Sequence, residues 1–296
     1  MKTMKKRTAA AVAMVVGVTV LAGAAFANYS TSNGYEVGKT AFKGLLNNEN
    51  YTANVTFSYD VDGENIAKAE TTEMYDRASK TMSRKEISSD YYSSGEQQYN
   101  TWANENERII YTKSADGTEY SEGYTSYGFY GNFDMMGTAD DNEKETNQKI
   151  VRFVELLGDT LVGDLKNNVV MTASDDNSTT YEINLDAIQI PELVNAGLSA
   201  MFSSVGTYDS GDPMMKLGTE PVAKSASLKF TVDNEGRLID GVATGVMAGE
   251  GHEATVSMSL SMSDYGSTVP ETVDPNTLPN YERYEPAEET VEIETE

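Results

Sequence analysis

Two stretches of regular alternation frame the chain. Over residues 51–61, Tyr51, Ala53, Val55, Phe57, Tyr59 and Val61 alternate with Thr52, Asn54, Thr56, Ser58 and Asp60. Over 252–263, Ala254, Val256, Met258, Leu260 and Met262 alternate with Thr255, Ser257, Ser259, Ser261 and Ser263. A period of two sends one set of side chains to a core and the other to water, so both stretches predict half-buried strands. Asp62-Gly63 follows the first, and both residue types tolerate positive φ, which predicts a tight hairpin. The return strand is expected over 66–75. Shorter strands follow at 80–88, 97–103, 108–113 and 119–124, separated by Asn104-Glu105-Asn106 and Ala115-Asp116-Gly117. Short strands joined by tight turns read as an antiparallel meander. A second set is expected at 169–173, 179–185, 225–232, 237–248 and 252–263.

Helical spacing interrupts the strands. In 35–46, Val37, Ala41, Phe42 and Leu45 share one face, with Ser32 or Asn33 as the cap. Residues 142–157 and 159–165 predict two further helices, the first stopped by Gly158. Pro191 opens a fourth, with Val194, Leu198, Met201, Phe202 and Val205 on its apolar stripe. Each meander has one apolar face and the helices carry matching stripes. The expected fold class is therefore α+β: a large curved antiparallel sheet of half-barrel type wrapping a few helices. One domain is expected over 35–268. Residues 269–296 hold four of the seven prolines and an acid-rich end, and most of this tail is expected to be extended or disordered.

The N-terminus changes the picture. Lys2, Lys5, Lys6 and Arg7 precede an uncharged stretch that ends in Ala25-Phe26-Ala27. Basic start, apolar middle and small residues at the cut form a secretory signal over 1–27, with cleavage expected between Ala27 and Asn28 and a short linker over 28–34. The alternative is an uncleaved anchor, since about 20 apolar residues span a bilayer, but this stretch leans on Ala, Gly and Thr. The expected location is extracellular or cell-wall associated, with membrane contact only if the segment is retained. N-terminal sequencing of the exported protein distinguishes the two.

The chain has no Cys, one His and a net charge of −25. Disulfides, thiolate catalysis and a lipid anchor on Cys are excluded, and one His without Cys leaves no zinc site of the usual kind. The charge opposes nucleic acid and anionic membrane surfaces. His252 would have to serve any Ser-His-Asp arrangement, and no G-x-S-x-G turn accompanies it; it reads as a turn residue. Asp60-Val61-Asp62-Gly63-Glu64-Asn65 resembles the start of a calcium loop, but Asn65 and Thr71 stand where Gly and a bidentate acid belong. No cofactor is expected. Carboxylates are too abundant for any pair to stand out as a hydrolase site.

The order of helix, long meander, central helices and second meander resembles the LolA-like and LppX-like lipoprotein-carrier superfamily over residues 35–268. The opening Ser32-Asn33-Gly34-Tyr35-Glu36-Val37 is similar to that of small exported Gram-positive proteins. The resemblance implies a curved sheet enclosing an apolar cavity, and binding rather than catalysis; the absent Cys departs from its lipoprotein members. Candidate ligand-lining or contact residues are Phe57, Tyr59, Leu228, Phe230, Met258 and Leu260 on the alternating strands. Tyr127, Phe129, Tyr130 and Phe133 join them from a Gly-rich aromatic segment over 124–141. These strand residues equally suit a packed core. The expected function is an exported non-catalytic protein that binds a lipid-like ligand or a surface protein. The alternatives are the outer sensor domain of a membrane-tethered regulator and a carboxylate-dependent hydrolase.

Overall fold

Asp62 and Gly63 turn the first hairpin with φ values of 53° and 81°. That geometry twists with the strands it joins. It connects β1 (Asn50–Val61) to β2 (Glu64–Asp76). Glu250 and Gly251, at φ 50° and 85°, do the same between β10 (Leu238–Gly249) and β11 (His252–Ser263). The other turns use side-chain acceptors: Asn104 takes the N–H groups of Asn106 and Glu107, and Asp175 those of Asn177 and Ser178. A short polar side chain bonded to backbone two and three residues ahead replaces the ladder bonds lost at the turn.

The structure is a computed structural model, and residues 33–46, 48–91, 93, 95–125, 169–190, 192–205, 213 and 216–285 are described. The secretory segment, the Ala27–Asn28 bond, the helices expected at 142–157 and 159–165, and Tyr127, Phe129, Tyr130 and Phe133 lie outside them.

The remaining strands are β3 (Thr81–Asp90), β4 (Gln97–Ala103), β5 (Glu107–Lys113), β6 (Glu119–Thr125), β7 (Val170–Ser174), β8 (Ser178–Asp186), β9 (Val222–Asp233) and β12 (Tyr281–Tyr284). They form one sheet in the order β12-β6-β5-β4-β3-β2-β1-β11-β10-β9-β8-β7. The sheet is curved and unclosed, and with two helices among the described residues the fold is an α+β half-barrel. Two meanders meet where β1 pairs antiparallel with β11, Thr52 opposite Ser263 through Val61 opposite Ala254. Helix α1 (Asn33–Leu46) lies against β9 and β10, and α2 (Glu192–Val205) against β9. Ala41 and Leu45 of α1 and Val194, Leu198 and Phe202 of α2 are buried, one apolar stripe each. The core lies between these helices and the inner face of β1 and β8–β11.

A one-residue bulge at Tyr59/Asp60 sets the inner face of β2. Past it, Tyr51 stands opposite Tyr75 and Ala53 opposite Glu73. Without it, every side chain of β2 beyond the bulge would sit on the other face.

Residues 269–285, expected to be extended or disordered, run along the sheet and end in a strand. Thr268 is held to β1 through its backbone, by both polar atoms of the Asn50 carboxamide at 2.8 and 2.9 Å, and through its hydroxyl, by Thr52 at 2.8 Å. The chain then crosses the outer face of the first meander. The Glu271 N–H donates to the Ser83 hydroxyl at 3.0 Å, and Asp274 caps a 3-10 turn at Pro275–Thr277. Asn280 donates to the Glu119 carbonyl, and β12 pairs parallel with β6. Composition concealed this strand because it is short and parallel and carries no apolar alternation. It is anchored by specific contacts instead. Ile109 and Ser121 are buried on the outer face near its path.

Candidate functional site

The inner face of the second meander brings six candidate residues into three adjacent rows. Phe57 stands opposite Met258, then Ala243, Leu228 and Ile183 follow across the sheet. The next row runs Val55, Leu260, Gly241, Phe230 and Tyr181. On the other side run Tyr59, Val256, Gly245, Ala226 and Leu185. Tyr59, Leu228, Phe230 and Leu260 are buried, whereas Phe57 and Met258 are half-buried. The Phe230 ring stacks on Tyr181 at 5.3 Å. Small side chains fill the middle of this surface. Gly245 is itself buried, yet a methyl group built on it would meet no atom of the described residues within 4 Å. Among the described residues nothing packs on this buried backbone, unlike in a close-packed interior.

The inner face turns polar on β2 and β3. Glu73 is 1% exposed and accepts hydrogen bonds from the Tyr51 hydroxyl at 2.7 Å and from Nε and Nη2 of Arg84 at 2.9 and 2.5 Å. Tyr51 stacks on Tyr75 at 5.3 Å. The paired charges and the phenol satisfy one another where water is excluded. The sequence reading did not single out Glu73 or Arg84. Their signal was a charge facing a charge across β2 and β3, and its place on the inner face follows only once the bulge between β1 and β2 is known.

At the hairpin end of the sheet, Nδ1 of His252 lies 2.7 Å from Asp62 Oδ2, and the Glu253 N–H donates to Asp62 Oδ1 at 3.1 Å. Asp62 thereby closes the β1–β2 turn onto β11, and the calcium-loop resemblance resolves into this turn. His252 opens β11 and ties the two hairpins together. No hydroxyl is bonded to its other ring nitrogen among the described residues. The His252 hydrogen bond, then the Glu253 N–H, hold the Asp62 carboxyl below its ordinary value. A depressed carboxyl contributes stability above its unfolded pKa of about 3.9, and that contribution is lost as pH falls through the lower folded value. Thermal midpoints measured from about pH 5 downward are expected to fall below about pH 4, and Asp62→Asn is expected to flatten part of that fall. An unchanged acid limb in the variant would exclude this contribution.

At the opposite end, a surface cleft of about 510 Å³ is bordered by Arg77, Arg237 and Tyr265. Its cations are already engaged. Arg237 pairs with Asp233 at 2.7 Å and Glu235 at 2.9 Å and lies 5.0 Å over the Tyr265 ring, while Arg77 faces Glu49 at 3.9 Å. Burial pushes the Tyr265 phenol up to about 12, and its hydroxyl donates to the Leu238 carbonyl. These contacts pin turns rather than offer a site. Among the described residues no group of three His, Asp or Glu side chains converges as metal ligands, and no helix is long and apolar enough to cross a membrane.

No family model and no curated protein matches this chain. Among solved structures, it is similar to a DUF1329 family protein from Desulfovibrio piger, at 10% identity and a TM-score of 0.23 over 79% of this chain and 92% of that one. A beta-barrel-like protein of the DUF1849 domain from Brucella abortus matches at 10% identity and 0.23, over 73% and 100%. A porin-like protein from Bacteroides uniformis matches at 9% and 0.20, over 73% and 97%. Likenesses this small transfer neither an activity nor a family.

Proposed function

We propose that this protein is an exported, non-catalytic binding protein. It takes a lipid-like apolar ligand between the inner face of β1 and β9–β11 and the helices that cover it. The observation that supports this reading is the space above buried Gly245, which no described residue fills, next to half-buried Phe57 and Met258. Apolar pockets with few polar groups are the usual form of small-molecule sites. The secretory pattern of residues 1–27 supports a place of action outside the cytoplasm, and no cofactor enters the reading.

Native mass spectrometry and solvent extraction of the purified protein test it. The wild type is expected to release an apolar molecule or to take up a fluorescent fatty-acid probe. Gly245→Leu fills the space and is expected to abolish uptake while leaving the thermal midpoint unchanged or raised, since a Cβ there meets no atom of the described residues within 4 Å. Equal uptake by the variant, or none by either protein, overturns the proposal.

A further inference from the structure

Strand β12 is gripped from both faces of the sheet. On the outer face, the Tyr281 hydroxyl donates to Glu107 at 2.8 Å and Arg283 pairs with the same carboxylate at 2.8 Å. The Tyr281 hydroxyl occupies the space that a side chain at position 123 would need, so Gly123 is its seat. On the inner face, Tyr284 stacks on Tyr124 at 5.4 Å. The backbone pairs in parallel, Tyr281 opposite Ser121 through Tyr284 opposite Tyr124. Sealing an edge needs only a short charged strand or a covering loop. The β6 edge instead reads two tyrosines and an arginine at fixed register, as edge-binding domains read an extended peptide.

Three of the four β12 residues are exposed, and such short, solvent-facing pairings open at low free-energy cost. Residues 269–280 tether the strand to the fixed Thr268, and twelve residues reach about 40 Å when extended. No disulfide restrains it.

We propose that the β6 edge is a strand-recognition site and that a second copy of this chain supplies Tyr281–Tyr284 to it, linking copies by strand exchange. The same contacts serve in trans, so exchange needs no new interface. The opposing force is repulsion between two chains of net charge −25, so exchange rises with salt.

Glu122 and Glu282 are Cα partners on β6 and β12, and their spacing suits a disulfide. The absence of native Cys makes the test unambiguous. Full-length Glu122→Cys is mixed with affinity-tagged Glu282→Cys and oxidised at low and high salt. A disulfide-linked heterodimer is expected, increasing with protein concentration and with salt, and lost when excess peptide of residues 279–285 is added. The double variant, Glu122→Cys with Glu282→Cys, is expected to pass from intrachain bonds to linked dimers as concentration rises. Intrachain bonds at every concentration, or no more heterodimer than Glu235→Cys gives in place of Glu282→Cys, overturn the proposal. Neither result depends on ligand uptake at Gly245.

Discussion

Glu73→Ala is expected to destabilise the protein by about 3 kcal/mol, read as a lower urea midpoint at unchanged slope. The carboxylate is 1% exposed, and the Arg84 side chain beside it 19%. Removing one member of a buried pair leaves the other charge in a poorly solvated site, which costs about 3–5 kcal/mol when both are fully enclosed. Partial exposure of Arg84 places the effect at the low end. The hydrogen bond from the Tyr51 hydroxyl is lost as well. Glu73→Met combined with Arg84→Met removes both charges and is expected to recover most of the loss, because well-packed apolar side chains often replace an ion pair without penalty. If the double variant is as unstable as the single one, the pair is not the source of the effect.

Removing residues 269–296 is expected to cost a further amount of about the same size and to make the protein associate. Ile109 is 5% exposed on the outer face, and uncovering a side chain of that kind loses about 1.5–3 kcal/mol. The bonds to Ser83 and the Glu119 carbonyl go with it. The β6 edge then presents unpaired backbone groups, which favours edge-to-edge association. Chemical unfolding reads the first effect and sedimentation over a range of concentrations the second. A truncated chain that stays monomeric with an unchanged midpoint would show that the crossing segment contributes nothing to stability.

Alternation was enough to read most of the sheet. The expected limits of β4 (97–103) and β11 (252–263) are those observed, and the Asp62-Gly63 turn forms as its residue types predict. Which strands would be neighbours was harder to see. Pairing of β1 with β11 joins residues some two hundred positions apart, and the two strands have similar apolar faces with no local cue to link them. Two features were hidden for physical reasons. Counting back from the two-residue turn places Met74, rather than Tyr75, opposite Tyr51, and only the bulge corrects this. The second is β12, whose Tyr-Glu-Arg-Tyr stretch sits in a proline- and acid-rich segment and owes its place to Glu107, Gly123 and Tyr124. For the candidate site, the sequence supplied Phe57, Tyr59, Leu228, Phe230, Met258 and Leu260 as one-face residues. It could not reveal that the described residues leave the space above Gly245 unfilled, since this depends on which elements pack over β10.

The seam between β1 and β11 also dictates an order of events. The chain is synthesised N-terminal half first, and β1–β6 can pair among themselves as soon as they appear. The far side of β1 then waits, hydrogen-bonding groups unused, until β11 has followed some two hundred residues later. Closing so long a loop is slow. During that interval the half-formed sheet shows an apolar row from Tyr51 to Val61 and an open edge to its surroundings. The chain's dense negative charge opposes contact between such intermediates. Its acidity therefore acts on the time needed to finish folding, before any ligand or partner is met.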